Sequence, residues 1–133
     1  MPIEPARRQF AAALIERHDH HMLIQRCAGD PGLSPVWQFP RGAVKPGESS
    51  EGAMRRIARE ILGVDVEVVV GQPPFVEVVD GVRYELRYFF CGIIRGEIMG
   101  DDQDTLRWIS KAHLREYDFD ALSRPVAEWL LDT

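Results

Sequence analysis

The sequence predicts an α+β fold: a mixed β-sheet with helices packed on both of its faces. Three observations carry this. Amphipathic helical stretches stand far apart in the chain, at about 50–62 and 120–132. Segments rich in β-branched and aromatic residues run between and around them, the longest at 65–80 and 82–95. Strands and helices alternate without a βαβ repeat, so the sheet is not wholly parallel. The 133 residues suit one domain, 1–133, with one core.

Residues 8–16 (RQFAAALIE) read as a buried strand, 17–20 (RHDH) as a polar turn and 21–27 (HMLIQRC) as a returning strand, so the two strands form a hairpin. The neighbouring His18, Asp19, His20 and His21 invite a metal reading. Adjacent residues of a strand point to opposite faces, however, and a polar turn is the plainer reading. The stretch 28–37 is rich in Gly, Pro, Asp and Ser and reads as a loop, and Trp37–Phe39 starts a short strand stopped by Pro40.

Pro46-Gly47 then makes a turn, and Ser49 or Ser50 caps a helix running to about Leu62. Glu51 lies in its first turn, where the helix dipole favours a carboxylate. Ala53, Met54, Ile57 and Ile61 form its buried stripe, and Gly63 stops it. Arg56 and Glu60 stand four apart, as a helix ion pair does.

The segment 65–80 is broken at Gly71–Pro74, and Asp80-Gly81 is a tight-hairpin signal. Along 82–95, Tyr84, Leu86, Tyr88 and Phe90 take one face, with Arg83, Glu85 and Arg87 on the other. An acidic loop at 96–104 precedes a short strand at 106–109, a helical turn at 111–117 and the terminal helix, which carries Leu122, Val126, Trp129 and Leu130.

The net charge of −5, with 45% hydrophobic and 28% charged residues, is that of an ordinary soluble protein. It argues against charge-driven binding of nucleic acid or membranes. No apolar run approaches the ~20 residues that span a bilayer, and the start, MPIEPARRQF, lacks the features of a secretion signal. Cys27 and Cys91 read as reduced, small apolar residues in strands, consistent with a cytoplasmic protein.

The most specific signal is GAVKPGESSEGAMRRIAREILGV at 42–64. Gly42, five residues, Glu48, seven residues, Arg56, then Glu60, Gly63 and Val64 resemble the Nudix box, G-x5-E-x7-R-E-U-x-E-E-x-G-U with U aliphatic. The flanking WQFPRGAVKPGES and the tail LRWISKAHLREYDFDALSRPVAEWLL are similar to the same regions of MutT-like members. The resemblance implies the Nudix α/β/α sandwich around a mixed β-sheet. It implies hydrolysis of a nucleoside diphosphate linked to another moiety, with Mg²⁺ (or Mn²⁺) neutralising the diphosphate oxygens.

Carried over residue by residue, the box makes Glu60, Arg56 and Glu48 the catalytic set. Glu60 and Glu48 would hold the metal, and Asp102 of the acidic loop would complete the site, with Asp101 next in line. Ile57 and Ile61 stand where the pattern has glutamate, so metal affinity and rate are expected to be low. The same departure motivates a nucleotide-binding or regulatory module that has lost catalysis. His113 raises a third reading, a GDP-sugar hydrolase-like attack at the sugar carbon, although its setting is that of a helix start.

Arg26, Arg41 and Lys45 are candidate phosphate contacts, since guanidinium and ammonium groups match anionic oxygens. Arg83 and Arg87 are either a wall of the nucleotide cleft or a solvated sheet face. Trp37 either stacks on a base or caps the core. The β-rich 65–95 region offers an edge for a homodimer.

Overall fold

Strand β1 (Arg7–Leu14) has three successive alanines in its second half, and these bury both of its faces. Ala11 and Ala13, with Ile15, belong to one core, and Ala12 and Leu14 belong to another. The computed structural model describes residues 7–27, 35–98 and 105–132. The other strands are β2 (His21–Arg26), β3 (Trp37–Gln38), β4 (Arg41–Ala43), β5 (Asp65–Gly71), β6 (Phe75–Val79), β7 (Val82–Arg95) and β8 (Leu106–Ser110). The two α-helices are α1 (Ser50–Ile57) and α2 (Arg124–Leu131).

A mixed sheet runs β4-β1-β7-β5, with β6 also paired to β7. β1 and β7 are parallel, in register from Arg7↔Arg83 to Leu14↔Phe90, and the other pairings are antiparallel. α1 packs on one face through Ala53, Met54 and Ile57, and α2 covers the other through Val126, Ala127 and Leu130. The expected sandwich around a mixed sheet is therefore what forms. The apolar alternation of β7 holds as well, since Leu86 and Tyr88 lie in the α2-side core with Tyr84 and Phe90 packed against it.

The expected hairpin of 8–16 with 21–27 forms only at its tip. Arg17 N–H bonds His21 O at 2.8 Å, Leu23 N–H bonds Ile15 O at 3.1 Å, and Glu16 and Met22 bridge. Beyond that, β2 joins a separate three-stranded sheet, β3-β2-β8. The reason is occupancy: both edges of β1 are taken, one by β4 and one by β7. The histidine segment is the turn itself. His20 adopts the left-handed φ of 63°, its Nδ1 faces Glu16, and His21 faces Asp19. Among the described residues no three His, Cys, Asp or Glu side chains converge as metal ligands.

Ser49 is the N-cap of α1, accepting from Gly52 N–H at 2.9 Å. After Ile57 the helix widens into a π-helical turn, Ala58–Leu62, and Gly63 at φ 71° ends it. The terminal helix starts later than the 120 expected. Asp120 instead caps the turn before it, accepting from Ser123 N–H at 2.9 Å. Residues 111–116 form a 3₁₀ turn. Asp80 and Gly81, at φ 50° and 78°, make the expected tight turn between β6 and β7. Cys91 is buried in β7, whereas Cys27 lies one residue past β2 and not within it; both are free thiols. No helix among the described residues is long and apolar enough to cross a membrane.

Gly96 ends β7 at φ 93°, and a Cβ there would stand 2.9 Å from Gly63 O and 3.3 Å from Val64 Cα. This close approach seats the start of the 97–104 segment beside the end of the box helix. Both obstacles are backbone and cannot rotate away. Gly96→Ala is therefore expected to destabilise the protein by about 1–3 kcal/mol, read as a lower midpoint in urea at unchanged slope.

Candidate functional site: the loop and helix at 42–64

Pro46-Gly47 turns the chain, with Gly47 at φ 79°, and sends Glu48 back across the loop. Glu48 Oε1 accepts from Lys45 N–H at 3.1 Å, and Glu48 N–H bonds Lys45 O at 3.0 Å. The carboxylate then meets Arg56 on the facing side of α1. Arg56 Nε donates to Glu48 Oε2 at 2.8 Å and Nη2 to Glu48 Oε1 at 2.9 Å. Nη2 also donates to Ala43 O at 2.7 Å, and Nη1 donates to Glu60 Oε2 at 3.0 Å. All three guanidinium nitrogens are thus engaged, by a loop carboxylate, a strand carbonyl and a helix carboxylate.

The paired bonds from Arg56, helped by the Lys45 amide, hold the Glu48 carboxyl down at about 2. The same partner raises the Arg56 guanidinium above its ordinary value. Glu60 is different. Its side chain is 56% exposed, and only one of its oxygens meets Arg56.

The two isoleucines of the box are not equivalent. Ile57 is 2% exposed, within the α1-side core. It lies against Gly42, where a Cβ would stand 2.8 Å from Ile57 Cγ1 and 3.0 Å from Cδ1. The glycine of the box is therefore needed here to admit an aliphatic side chain. Ile61 is 37% exposed beside Glu60. One isoleucine is a core residue, and the other is an apolar patch on the open edge of the helix.

The structure brings Glu48, Arg56 and Glu60 together, with Lys45 held in the same loop by its backbone. Arg41 Nη2 pairs with Asp120 Oδ2 at 2.7 Å, at the turn that precedes α2. Arg83 and Arg87 flank Glu85 on the α1 side of β7, where Arg83 Nε lies 3.3 Å from Glu85 Oε1 without hydrogen-bond geometry. Arg87 borders a small cavity with Ser50 at the start of α1. Arg26 is half-buried on β2, in the other sheet.

Trp37 is 3% exposed, edge-on to Tyr117 at 5.9 Å, with the Arg107 guanidinium 4.9 Å over its ring. The structure thus gives it core neighbours. His113 is exposed and pairs with Glu116 at 3.0 Å. Asp101 and Asp102 lie outside the described residues; Glu97, the first acid of that segment, is exposed.

Sequence reasoning missed Asp120 as the partner of Arg41. A cap signal was available, since Asp120 stands three residues before Ser123 and Pro125 follows at the helix start. It also missed the contact of Gly42 with Ile57, which no spacing rule encodes.

A mixed sheet between two helical layers thus carries a loop and helix joined by a glutamate–arginine–glutamate network, the arrangement expected of the box. Comparison with known proteins makes the assignment specific. A family model described as NUDIX domain matches residues 5–130, and the chain belongs to the Nudix family. Among curated relatives it is similar to the CTP pyrophosphohydrolase of Escherichia coli (strain K12), 28% identical over 120 residues, 90% of this chain and 88% of the relative. It is also similar to the 8-oxo-dGTP diphosphatase of the same organism, 25% identical over 125 residues, 89% of this chain and 92% of the relative. Among solved structures, the E. coli ORF135 protein superposes with a TM-score of 0.81 at 24% identity, covering 96% of this chain and 91% of that one, which shows the shared fold.

Because Glu48 ionises far below its unfolded value of about 4.5, its contribution to stability is complete above that pH and fades as pH falls toward 2. Glu48→Gln is expected to remove this part of the acid limb, so that wild-type and variant melting temperatures converge on acidification from pH 4.5 to about 2.

Proposed function

We propose that this protein is a nucleotide hydrolase of attenuated activity, acting on a nucleoside diphosphate linked to another moiety. The observation that carries the reading is the intact Glu48–Arg56–Glu60 network on the box frame. The family and its similar relatives, a CTP pyrophosphohydrolase and an 8-oxo-dGTP diphosphatase, support it.

The donor set decides how a Mg²⁺ or Mn²⁺ ion would be held. Mg²⁺ is often bound by one or two carboxylates together with substrate phosphates and waters. Glu48 has both oxygens engaged by Arg56, so Glu60 is the box carboxylate with an oxygen to spare. One carboxylate suits a cation that arrives on its nucleotide, and it is too little for a tightly resident ion. A bound cation would supply neutralisation of the phosphate charge that otherwise repels a nucleophile. The chain's own part is to hold Glu60 at the open edge through Arg56 and to offer Lys45 to the outer phosphate oxygens. Asp102 would add a second carboxylate from the segment that starts beside Gly96.

The second reading is a nucleotide-binding module without turnover. Ile57 favours it, because a buried aliphatic side chain closes one ligand position from within.

Turnover separates the two. A panel of nucleoside diphosphate derivatives with Mg²⁺ or Mn²⁺ is expected to show slow hydrolysis of at least one compound. Nucleotide binding without turnover of any would leave only the binding module. Ile61→Glu adds a carboxylate at an exposed site and is expected to raise turnover by about tenfold or more, equivalent to ~1.4 kcal/mol of barrier. Ile57→Glu places a charge in the core and is expected to cost several kcal/mol of stability, seen as a lower melting temperature with no gain in rate.

A further inference from the structure

Helix α1 packs on the mixed sheet, and its two flanks face opposite ends of the strand order β4-β1-β7-β5. Arg56 reaches β4 through Ala43 O, on the flank of the box network. The other flank faces β5 and the end of β7, and a groove of about 470 Å³ runs along it. Arg55 and Arg59, one turn apart, line the groove from the helical side, Asp65 and Val66 line it from β5, and Ile94 and Arg95 line it from β7. None of these six side chains belongs to the Glu48–Arg56–Glu60 network.

The charges of the groove do not balance. Three guanidiniums share one carboxylate, an excess of two positive charges, on a chain whose net charge is −5. Arg59 takes that carboxylate: its Nε and Nη2 donate to Asp65 Oδ1 at 3.0 and 2.8 Å. These bonds hold Arg59 at the groove and use neither its Nη1 nor Asp65 Oδ2. Arg95 stands opposite Asp65 in strand register, yet its guanidinium has no ion pair among the described residues. The acid nearest Arg55 is Glu51, 3.4 Å away and not part of the groove lining. Like charges gathered in one place repel one another, and a multiply charged anion between them removes that cost. Guanidinium forks match phosphate oxygens in pairs, which a carboxylate offers only once. A single carboxylate would also leave one of the two excess charges unmatched, whereas a diphosphate carries enough charge, and enough length, to meet arginines on both walls.

We propose that this groove is a second anion site, which binds a diphosphate group between Arg55 and Arg59 on the helical wall and Arg95 on the strand wall. Asp65 is its positioning residue, because it sets the direction of the Arg59 guanidinium. Arg59 belongs to the same π-helical turn as Glu60, but it reaches β5 while Glu60 meets Arg56. The site therefore lies on the far flank of the helix from the box network and needs no cation, since the arginines themselves supply the positive charge. It does not depend on turnover at the box. The diphosphate is either the free ion or the end of a larger phosphorylated molecule.

Pyrophosphate, titrated into the whole chain at fixed ionic strength with a chelator present, tests the groove apart from any cation at the box. Binding is followed by arginine Nε–H and backbone amide chemical shifts. Saturable shifts are expected at Arg59, Val66 and Arg95, with orthophosphate about tenfold weaker or more. Arg95→Gln, at an exposed position, is expected to weaken pyrophosphate by about tenfold, and Arg55→Gln to act in the same direction. Arg115→Gln removes the same charge from an exposed arginine outside the groove and is expected to change binding by less than about twofold. A nucleoside diphosphate distinguishes the two sources: the same shifts at equal or higher affinity assign an esterified diphosphate, and shifts with pyrophosphate alone assign the free ion. No saturable shifts at the groove, shifts centred on Lys45 and Arg56, or equal weakening by Arg115→Gln and Arg95→Gln would each overturn the assignment. Failure here leaves slow hydrolysis at the box untouched, and absence of turnover with intact pyrophosphate binding leaves the groove untouched.

Discussion

Arg56 is the residue on which the candidate site depends. One guanidinium ties the loop to the helix through Glu48, the helix to strand β4 through Ala43 O, and one helical turn to the next through Glu60. The planar fork of arginine suits this task, because two of its nitrogens meet the two oxygens of one carboxylate while the third remains for another partner. Lysine, with a point charge on a flexible stem, could not hold all three. Removing Arg56 would leave a half-buried carboxylate and a strand carbonyl without their donor, a larger loss than that of an exposed ion pair.

That clamp also sets what the site can do. Glu48 is spent on structure, which its strongly lowered proton affinity expresses. The chain therefore keeps the geometry of the family's loop and helix while freeing few oxygens for a cation. The isoleucines deepen this in unequal ways. Ile57 merges the helix edge with the core and leans on Gly42, so the frame's glycine is kept here for a packing reason. Ile61 leaves an apolar surface where charge would attract a cation. In the proposed function binding and hydrolysis thus come apart as properties: we propose that the cleft serves the first and that the second rests on Glu60 and the carboxylates near it.

Much of this was legible in the sequence. The alternation along β7, the Asp80-Gly81 turn, the serine cap and the Gly63 stop all follow from local chemistry and are found as expected. The pairing of Arg56 with Glu60 follows from their spacing. What was not legible depends on contacts between distant segments. The β1–β2 hairpin failed because β4 and β7 already occupy the edges of β1, a fact of topology. The pairing of Arg41 Nη2 with Asp120, far along the chain, has no spacing signal either. The π-helical turn at Ala58–Leu62 and the contact of Gly42 with Ile57 have no periodicity to betray them.

The central claim is that the box carboxylates serve Arg56 first and a cation second. Titration of Mn²⁺ into the nucleotide-free protein, followed by calorimetry and repeated with a non-hydrolysable nucleoside diphosphate derivative present, tests it most directly. The account predicts no saturable binding without nucleotide and binding of the cation together with the nucleotide. Tight, saturable Mn²⁺ binding to the nucleotide-free protein, abolished by Glu48→Gln, would contradict it, because Glu48 would then be a metal ligand and not the partner that Arg56 holds.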